Sequence, residues 1–75
     1  MSKEEFIQEL IEILENEDVN ENTAFRELEE WDSLAALSTI SMIDGEFRVT
    51  VNNKDLRSVE TVSELYDMVI SRAKK

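Results

Sequence analysis

The sequence contains no cysteine, no histidine and no proline, and it has a single glycine. Without cysteine, the chain has no disulfide framework, no zinc–thiolate site and no thiol nucleophile of its own. Without histidine, it has no Ser-His-Asp triad, no histidine metal site and no imidazole base. These absences exclude the usual covalent staples of small proteins and several common kinds of catalytic site.

The chain is also short and poor in positive charge. Its 75 residues make one domain, 1–75, and a domain near this size buries only about 60% of its unfolded surface, so a deep catalytic pocket would remove core that it needs. Eighteen acidic residues stand against eight basic ones, for a net charge of −10. We therefore expect a non-enzymatic binding or carrier module that meets basic proteins or cations, and neither nucleic acid nor an anionic membrane surface.

Long apolar runs are missing as well. No segment approaches the roughly 20 apolar residues of a membrane span, and the acidic start Met1–Glu5 lacks the layout of a signal peptide. We expect a cytoplasmic monomer without membrane insertion.

Apolar spacing predicts an all-α fold, a four-helix bundle with three longer helices, one short third helix and a long loop between helices 1 and 2. Helix 1 covers about residues 3–15 behind a capping box of Ser2 and Glu5, and helix 2 covers about 33–47. The polar, Asn-rich segment between them is predicted to be a loop that Phe25 and Leu28 tie to the core.

The second half of the chain supplies the remaining helices. Asn52 or Asn53 is expected to cap the short helix 3, and Thr61 with Glu64 forms the capping box of helix 4. The basic residues near the end of helix 4 suit its negative C-terminal end; they are Arg72, Lys74 and Lys75.

Charge is divided unevenly along the chain. Residues 1–32 hold 12 acidic and two basic residues, whereas residues 33–75 hold six of each. The whole net charge therefore belongs to helix 1 and the loop that follows it.

Ser33 is the residue with the clearest chemical possibilities. It would lie at the N-terminus of helix 2, where free N–H groups and the positive end of the helix dipole favour an attached anion. No histidine is present to activate it, so covalent chemistry at Ser33 must be carried out by another enzyme. Asp32-Ser33 ahead of an apolar periodic run is equally a plain N-cap signature, and both interpretations stay open at this point.

The run Trp31-Asp32-Ser33-Leu34, ahead of helix 2 in a small acidic four-helix chain, resembles the acyl carrier protein family. The resemblance covers nearly the whole chain. Its other matching positions are Phe6, Leu10, Phe25, Phe47, Val51, Leu56, Val59, Val62 and Leu65.

The resemblance implies a function and a cofactor. Ser33 would carry 4′-phosphopantetheine, transferred from coenzyme A by a separate phosphopantetheinyl transferase, and the thiol of that arm would hold acyl or aminoacyl groups as thioesters for partner enzymes. Asp32 would help the transferase to engage the site, and Leu34 would anchor helix 2 while Ser33 faces outward. The family shelters acyl chains between its helices; here the positions that would line such a space, or serve as ordinary core, are Leu37, Ile40, Val51, Leu56, Val59 and Val62.

Two departures from the family pattern bear on the partners. Glu29-Glu30-Trp31 stand where the family often has glycine, and Trp31 either packs over the loop, which is the arrangement we favour, or lies beside the arm. The first half of helix 2 is neutral, where fatty-acid carrier proteins usually present acidic residues to basic enzymes. Because charge complementarity governs encounter and selectivity, we expect a dedicated fatty-acid or polyketide-like, modified-lipid or aminoacyl pathway rather than the housekeeping fatty-acid enzymes.

Two alternatives remain open on the sequence. Four loop residues have the spacing of oxygen ligands in an EF-hand calcium loop, although Thr23 replaces the glycine that such a loop needs; they are Asp18, Asn20, Asn22 and Glu29. The third interpretation is a helical protein-interaction module without modification, in which Ser33 is only a cap.

Overall fold

The computed structural model describes residues 1–73. Within them lie four α-helices, α1 (Lys3–Leu14), α2 (Ser33–Phe47), α3 (Asn53–Arg57) and α4 (Val62–Ala73), and a short 3₁₀ turn at Phe25–Glu27. The predicted all-α, four-helix arrangement, with its short third helix and long first loop, is confirmed. Lys74 and Lys75, expected to complement the end of helix 4, lie outside the described residues.

The predicted capping boxes explain where α1 and α4 begin. The Ser2 hydroxyl accepts a hydrogen bond from the Glu5 amide (3.2 Å), and the Glu5 carboxylate accepts one from the Ser2 amide (2.9 Å). Thr61 and Glu64 make the same exchange at α4, with distances of 3.2 and 3.0 Å. Each box satisfies backbone N–H groups that the first turn of a helix leaves without intrahelical partners.

The short helix α3 is held by its cap and by an ion pair. Asn52 caps it, in a reciprocal exchange of hydrogen bonds with Asp55 (2.9 and 3.0 Å). The Asp55 carboxylate also accepts two bonds from the Arg72 guanidinium of α4, each 2.9 Å long. A five-residue helix is too short to be stable alone, so its position depends on these contacts and on Leu56, which is buried in the core.

The buried side chains of all four helices and of the loops form one cluster. Phe6 is completely buried at its centre, and its ring meets those of Phe47 (5.9 Å) and Tyr66 (5.4 Å) edge to face. These aromatic contacts join α1, α2 and α4, and such pairs contribute about 0.5–1.5 kcal/mol beyond the area that they bury.

The core-facing side of α2 is made mainly of small residues. Ala35, Ala36, Thr39 and Ile43 are buried, and the Thr39 hydroxyl is satisfied by the Ala35 carbonyl at 2.8 Å. Small side chains let α2 approach its neighbours closely, and the larger leucines are left on the outside.

The predicted roles of Leu34 as an anchor of helix 2 and of Leu37 as a lining residue are wrong. Leu34 is 70% exposed and does not anchor α2, and Leu37 is 59% exposed and does not line an interior space. Further along the helix, larger apolar side chains do pack against the core; they are Ile40, Met42, Ile43 and Phe47.

Backbone hydrogen bonds connect the long loop between α1 and α2 to the start of α4. The Val62 amide donates to the Thr23 carbonyl (3.1 Å), and the Ser63 amide donates to the Glu21 carbonyl (2.9 Å). The Arg26 guanidinium donates to the Val59 carbonyl at 2.7 Å. Phe25 is completely buried, and Leu28 packs against the core as predicted.

No helix among residues 1–73 has both the length and the apolar character needed to cross a membrane.

Candidate functional site

Ser33 is the first residue of α2, and it is exposed. The preceding residue, Asp32, makes the cap: its Oδ1 accepts the Ala35 amide at 2.8 Å, and its carbonyl accepts the Ala36 amide at 2.9 Å. The Ser33 hydroxyl takes no part in this cap. It therefore lies at the end of a well-fixed helix, accessible to another molecule.

The electrostatics of this helix start suit a phosphate ester. The amides of Ser33 and Leu34 find no acceptor inside the helix because they belong to its first turn, and the helix dipole adds positive potential at this end. The first turn of α2 contains no acidic side chain. The first turns of the other three helices contain Glu4 and Glu5, Asp55, and Glu64.

Trp31 fixes the loop that leads into Ser33. Its ring packs edge to face on the buried Phe25 ring, with centroids 5.0 Å apart, and its amide donates to the Leu28 carbonyl at 3.0 Å. The expected packing of Trp31 over the loop is confirmed. The Asp32 cap therefore follows a segment that is itself held to the core.

The residues predicted to line an acyl space have mixed surroundings. Val51, Leu56 and Val62 are buried in the core, and Ile40 and Val59 are half-buried against it. Leu37, as described, faces solvent. Five of the six positions therefore belong to the packed core, and the sixth lies on the surface beside Ser33.

An open cleft of about 300 Å³ lies on the other side of the helix start, between the end of α1 and the beginning of α2. Asp32, Leu34 and Ala35 line one wall, and the end of α1 lines the opposite wall with Ile13, Leu14 and Glu15. Sequence reasoning missed this cleft because it depends on how the ends of two distant helices are placed relative to one another.

The residues of the possible calcium loop are used in another way. The Asn20 Oδ1 accepts the Asn22 amide (2.8 Å), a local side-chain-to-backbone turn, and the 3₁₀ turn falls inside the window that ends at Glu29. Since α2 begins only at Ser33, the helix–loop–helix of an EF-hand is not formed, and this interpretation is wrong about the local fold. In the part of the chain that the structure describes, no three acidic side chains are grouped to hold a metal ion.

A comparison with protein-family models matches residues 4–69 to the phosphopantetheine attachment site family. Comparisons with curated proteins and with solved structures gave no match. Domains of this family are the attachment sites of 4′-phosphopantetheine. They are generally non-catalytic carriers that meet phosphopantetheinyl transferases and acyl-handling enzymes.

The match therefore spans all of α1, α2 and α3 except Lys3, and most of α4, and it includes the exposed serine at the start of α2. The chain belongs to the acyl carrier protein-like family of domains that carry 4′-phosphopantetheine.

Proposed function

We propose that Ser33 is the attachment residue and that this protein is a carrier of acyl or aminoacyl groups. The observation that supports this assignment is the position of Ser33, exposed as the first residue of α2 with its hydroxyl left free by the Asp32 cap. When bound, the phosphopantetheine group supplies a terminal thiol, which holds acyl groups as thioesters and which this cysteine-free chain lacks.

The chemistry at Ser33 is a phosphoryl transfer. The Ser33 oxygen attacks the phosphorus of coenzyme A that bears pantetheine, the bond to the nucleotide breaks, and 3′,5′-ADP leaves. A basic group of the transferase takes the hydroxyl proton, because the chain has no histidine. Asp32 holds the first turn in place during this attack and offers a carboxylate that the transferase, or its metal ion, engages.

The partners are proposed to belong to a dedicated pathway, fatty-acid or polyketide-like, modified-lipid or aminoacyl. The exposed side of α2 next to Ser33 carries Leu34, Leu37 and Ser41, and no charge appears on α2 before Asp44. An enzyme that recognises an acidic helix through basic residues finds little to bind here. The partner enzyme is therefore expected to use apolar contacts beside Ser33.

The remaining features of the proposal concern the protein as a whole. We propose that residues 1–75 form one carrier domain, because the buried side chains form a single cluster, and that this domain acts as a monomer. It is not itself an enzyme, and it works in the cytoplasm, where coenzyme A is available to the transferase.

The attachment is tested by intact mass spectrometry after incubation with coenzyme A and a broad-specificity phosphopantetheinyl transferase. The wild type is expected to gain one phosphopantetheine, and Ser33→Ala none. Ser41→Ala is the matched control, since Ser41 is an exposed serine on the same helix, and it is expected to be modified like the wild type. A folded wild type that gains no mass, or a modified Ser33→Ala, would overturn the assignment.

The partner proposal has a separate test. Malonyl loading of the modified protein by a malonyltransferase of housekeeping fatty-acid synthesis is expected to be inefficient. The double variant Leu37→Glu/Ser41→Glu should lower the KM, whereas the neutral control Leu37→Gln/Ser41→Gln should not. If the wild type is already loaded as efficiently as a fatty-acid carrier protein, the pathway assignment is wrong.

A further inference from the structure

Three large hydrophobic side chains are conspicuously exposed among residues 1–73, and two of them follow Ser33 on α2, by one and by four residues. Leu34 and Leu37 are 70% and 59% exposed, and the third residue is Met1 at the chain start. A single exposed leucine is ordinary on a protein surface. Two on one turn of the helix that begins with Ser33 call for an explanation in terms of what meets them there.

Leu37 lies closer than Leu34 to the Ser33 side of α2, although the two leucines are neighbours on one exposed side and are turned from each other by only about 60°. Leu37 follows Ser33 by four residues, so the two share one face of α2, with Cβ atoms roughly 5–6 Å apart. Side chains on a helix lean toward its N-terminus, which places the Leu37 isobutyl group over the Ser33 position. Leu34 is turned from Ser33 by about 100°, and it lines the cleft beside α1.

The chemistry of the phosphopantetheine arm matches what Leu37 offers. Beyond the phosphate and one methylene, the arm has a quaternary carbon with two methyl groups, its most apolar part. That carbon lies a few bonds from the serine oxygen, a reach comparable with the roughly 5.4 Å pitch of one helical turn. The methyl pair of an arm attached to Ser33 would therefore come within reach of the Leu37 side chain.

We propose that Leu37 is a positioning residue that packs against the geminal methyl groups of the arm carried by Ser33. The arm then leaves Ser33 along the uncovered face of α2, toward Ser41, and not into the cleft on the Leu34 side. This inference rests on the proposed attachment at Ser33. It assigns Leu37 a surface role in place of the interior one that its spacing predicts.

The test uses the modified protein with ¹³C-labelled leucine methyl groups and measures nuclear Overhauser effects between them and the methyl groups of the arm. Cross-peaks to Leu37 are expected, and none to Leu34. Leu37 methyl shifts should also change more between the unmodified and modified forms than Leu34 shifts do. Ser33→Ala, which carries no arm, should show neither effect.

Two matched variants complete the design. Both leucines are exposed, so Leu37→Ala and Leu34→Ala are expected to fold with melting temperatures close to that of the wild type. Leu37→Ala should return the resonances of the arm methyl groups toward those of free pantetheine, and Leu34→Ala should leave them unchanged.

The outcomes separate the two proposals. A wild type that is modified but shows no contact with Leu37, or equal contacts with Leu34 and Leu37, would overturn the role of Leu37 alone. A wild type that gains no phosphopantetheine in the mass measurement would overturn the Ser33 assignment, and the role of Leu37 with it.

Discussion

Ser2 and Ser33 both stand at the start of a helix, but the two helices use their serine in opposite ways. At α1 the serine is the N-cap, and its hydroxyl is engaged with the Glu5 amide. At α2 the N-cap is Asp32, and the serine is displaced by one position into the first turn. A one-residue shift thus separates a serine that holds a helix from a serine that is left free for modification.

The acidic residues follow the same division. The first turns of α1, α3 and α4 each carry a carboxylate that accepts a hydrogen bond from the backbone amide of the N-cap residue. The corresponding position of α2 is Ala35. A carboxylate inside the first turn offsets part of the positive potential at the helix start, which would otherwise favour a phosphate. The start of α2 therefore has a carboxylate only at its N-cap, Asp32, and its first turn is free of acidic side chains.

The capping carboxylate of α3, Asp55, accepts more hydrogen bonds than those of the other helices, so its removal should cause the largest loss of stability. Asp55→Ala removes the bond to the Asn52 amide and both bonds to Arg72. We expect a loss of about 2 kcal/mol in the free energy of unfolding, from the lost charge-assisted hydrogen bonds to Asn52 and Arg72 together. Chemical denaturation measures it. Asp67→Ala, an exposed acid on α4, is the control, and an equal effect of both variants would show that the hydrogen bonds of the Asp55 carboxylate contribute nothing.

The same carboxylate predicts an acid transition. Hydrogen bonds from Arg72 and Asn52 lower the pKa of Asp55 from its ordinary 3.8 to about 2. Because the folded pKa is the lower one, the stabilisation is complete above pH 3.8 and is lost as the pH falls toward about 2. The difference in unfolding free energy between the wild type and Asp55→Asn should shrink through this range. A constant difference would contradict the lowered pKa.

At α2 the expected loss of unfolding free energy is smaller, because the Asp32 side chain accepts one hydrogen bond, from the Ala35 amide, and no first-turn carboxylate accepts one from the Asp32 amide. Asp32→Ala should cost about 1 kcal/mol, whereas Asp32→Asn keeps an accepting oxygen and should cost only a few tenths. The unfolding free energies of both variants provide the test. If Asp32→Asn is as destabilised as Asp32→Ala, the cap seen at α2 is not what holds the first turn.

The smallest effect is expected at α1, where the helix end is exposed. Ser2→Ala should lower the unfolding free energy by somewhat less than about 1 kcal/mol and leave phosphopantetheine transfer unchanged. Ser33→Ala should do the reverse, with stability close to the wild type and no transfer. Parallel measurement of melting and of mass in these two variants tests the opposite uses of the two serines directly.

Much of this fold follows from the sequence because it is local. The capping residues Ser2, Asp32 and Thr61 mark three helix starts at the observed positions, and the bounds predicted for helices 1 and 2, 3–15 and 33–47, agree with α1 and α2 to within a residue. The exposed place of Ser33 follows from the same local pattern. Hydrogen bonds between residues close together in the chain determine these features, so the local residue pattern is sufficient to predict them.

The face that α2 buries does not follow from the sequence. Ranking by size favours Leu34 and Leu37 as core residues, but the buried stripe contains Ala35, Ala36 and Thr39. Which stripe packs depends on the space that α1 and α4 leave, and that space is a property of the assembled core. The backbone hydrogen bonds between the loop and the amides of Val62 and Ser63 are also long-range, and no pattern in the sequence predicts them.

The packing of Trp31 on Phe25, two residues before Ser33, has an optical consequence. Trp31 is the only tryptophan of the chain, so fluorescence excited at the red edge of the absorption band comes from this one indole. Its emission reports the polarity of the loop that precedes the attachment serine. Modification, enzyme docking and loss of the Phe25 contact can each be followed in solution by this intrinsic signal, without attaching a dye to a surface that other proteins must recognise.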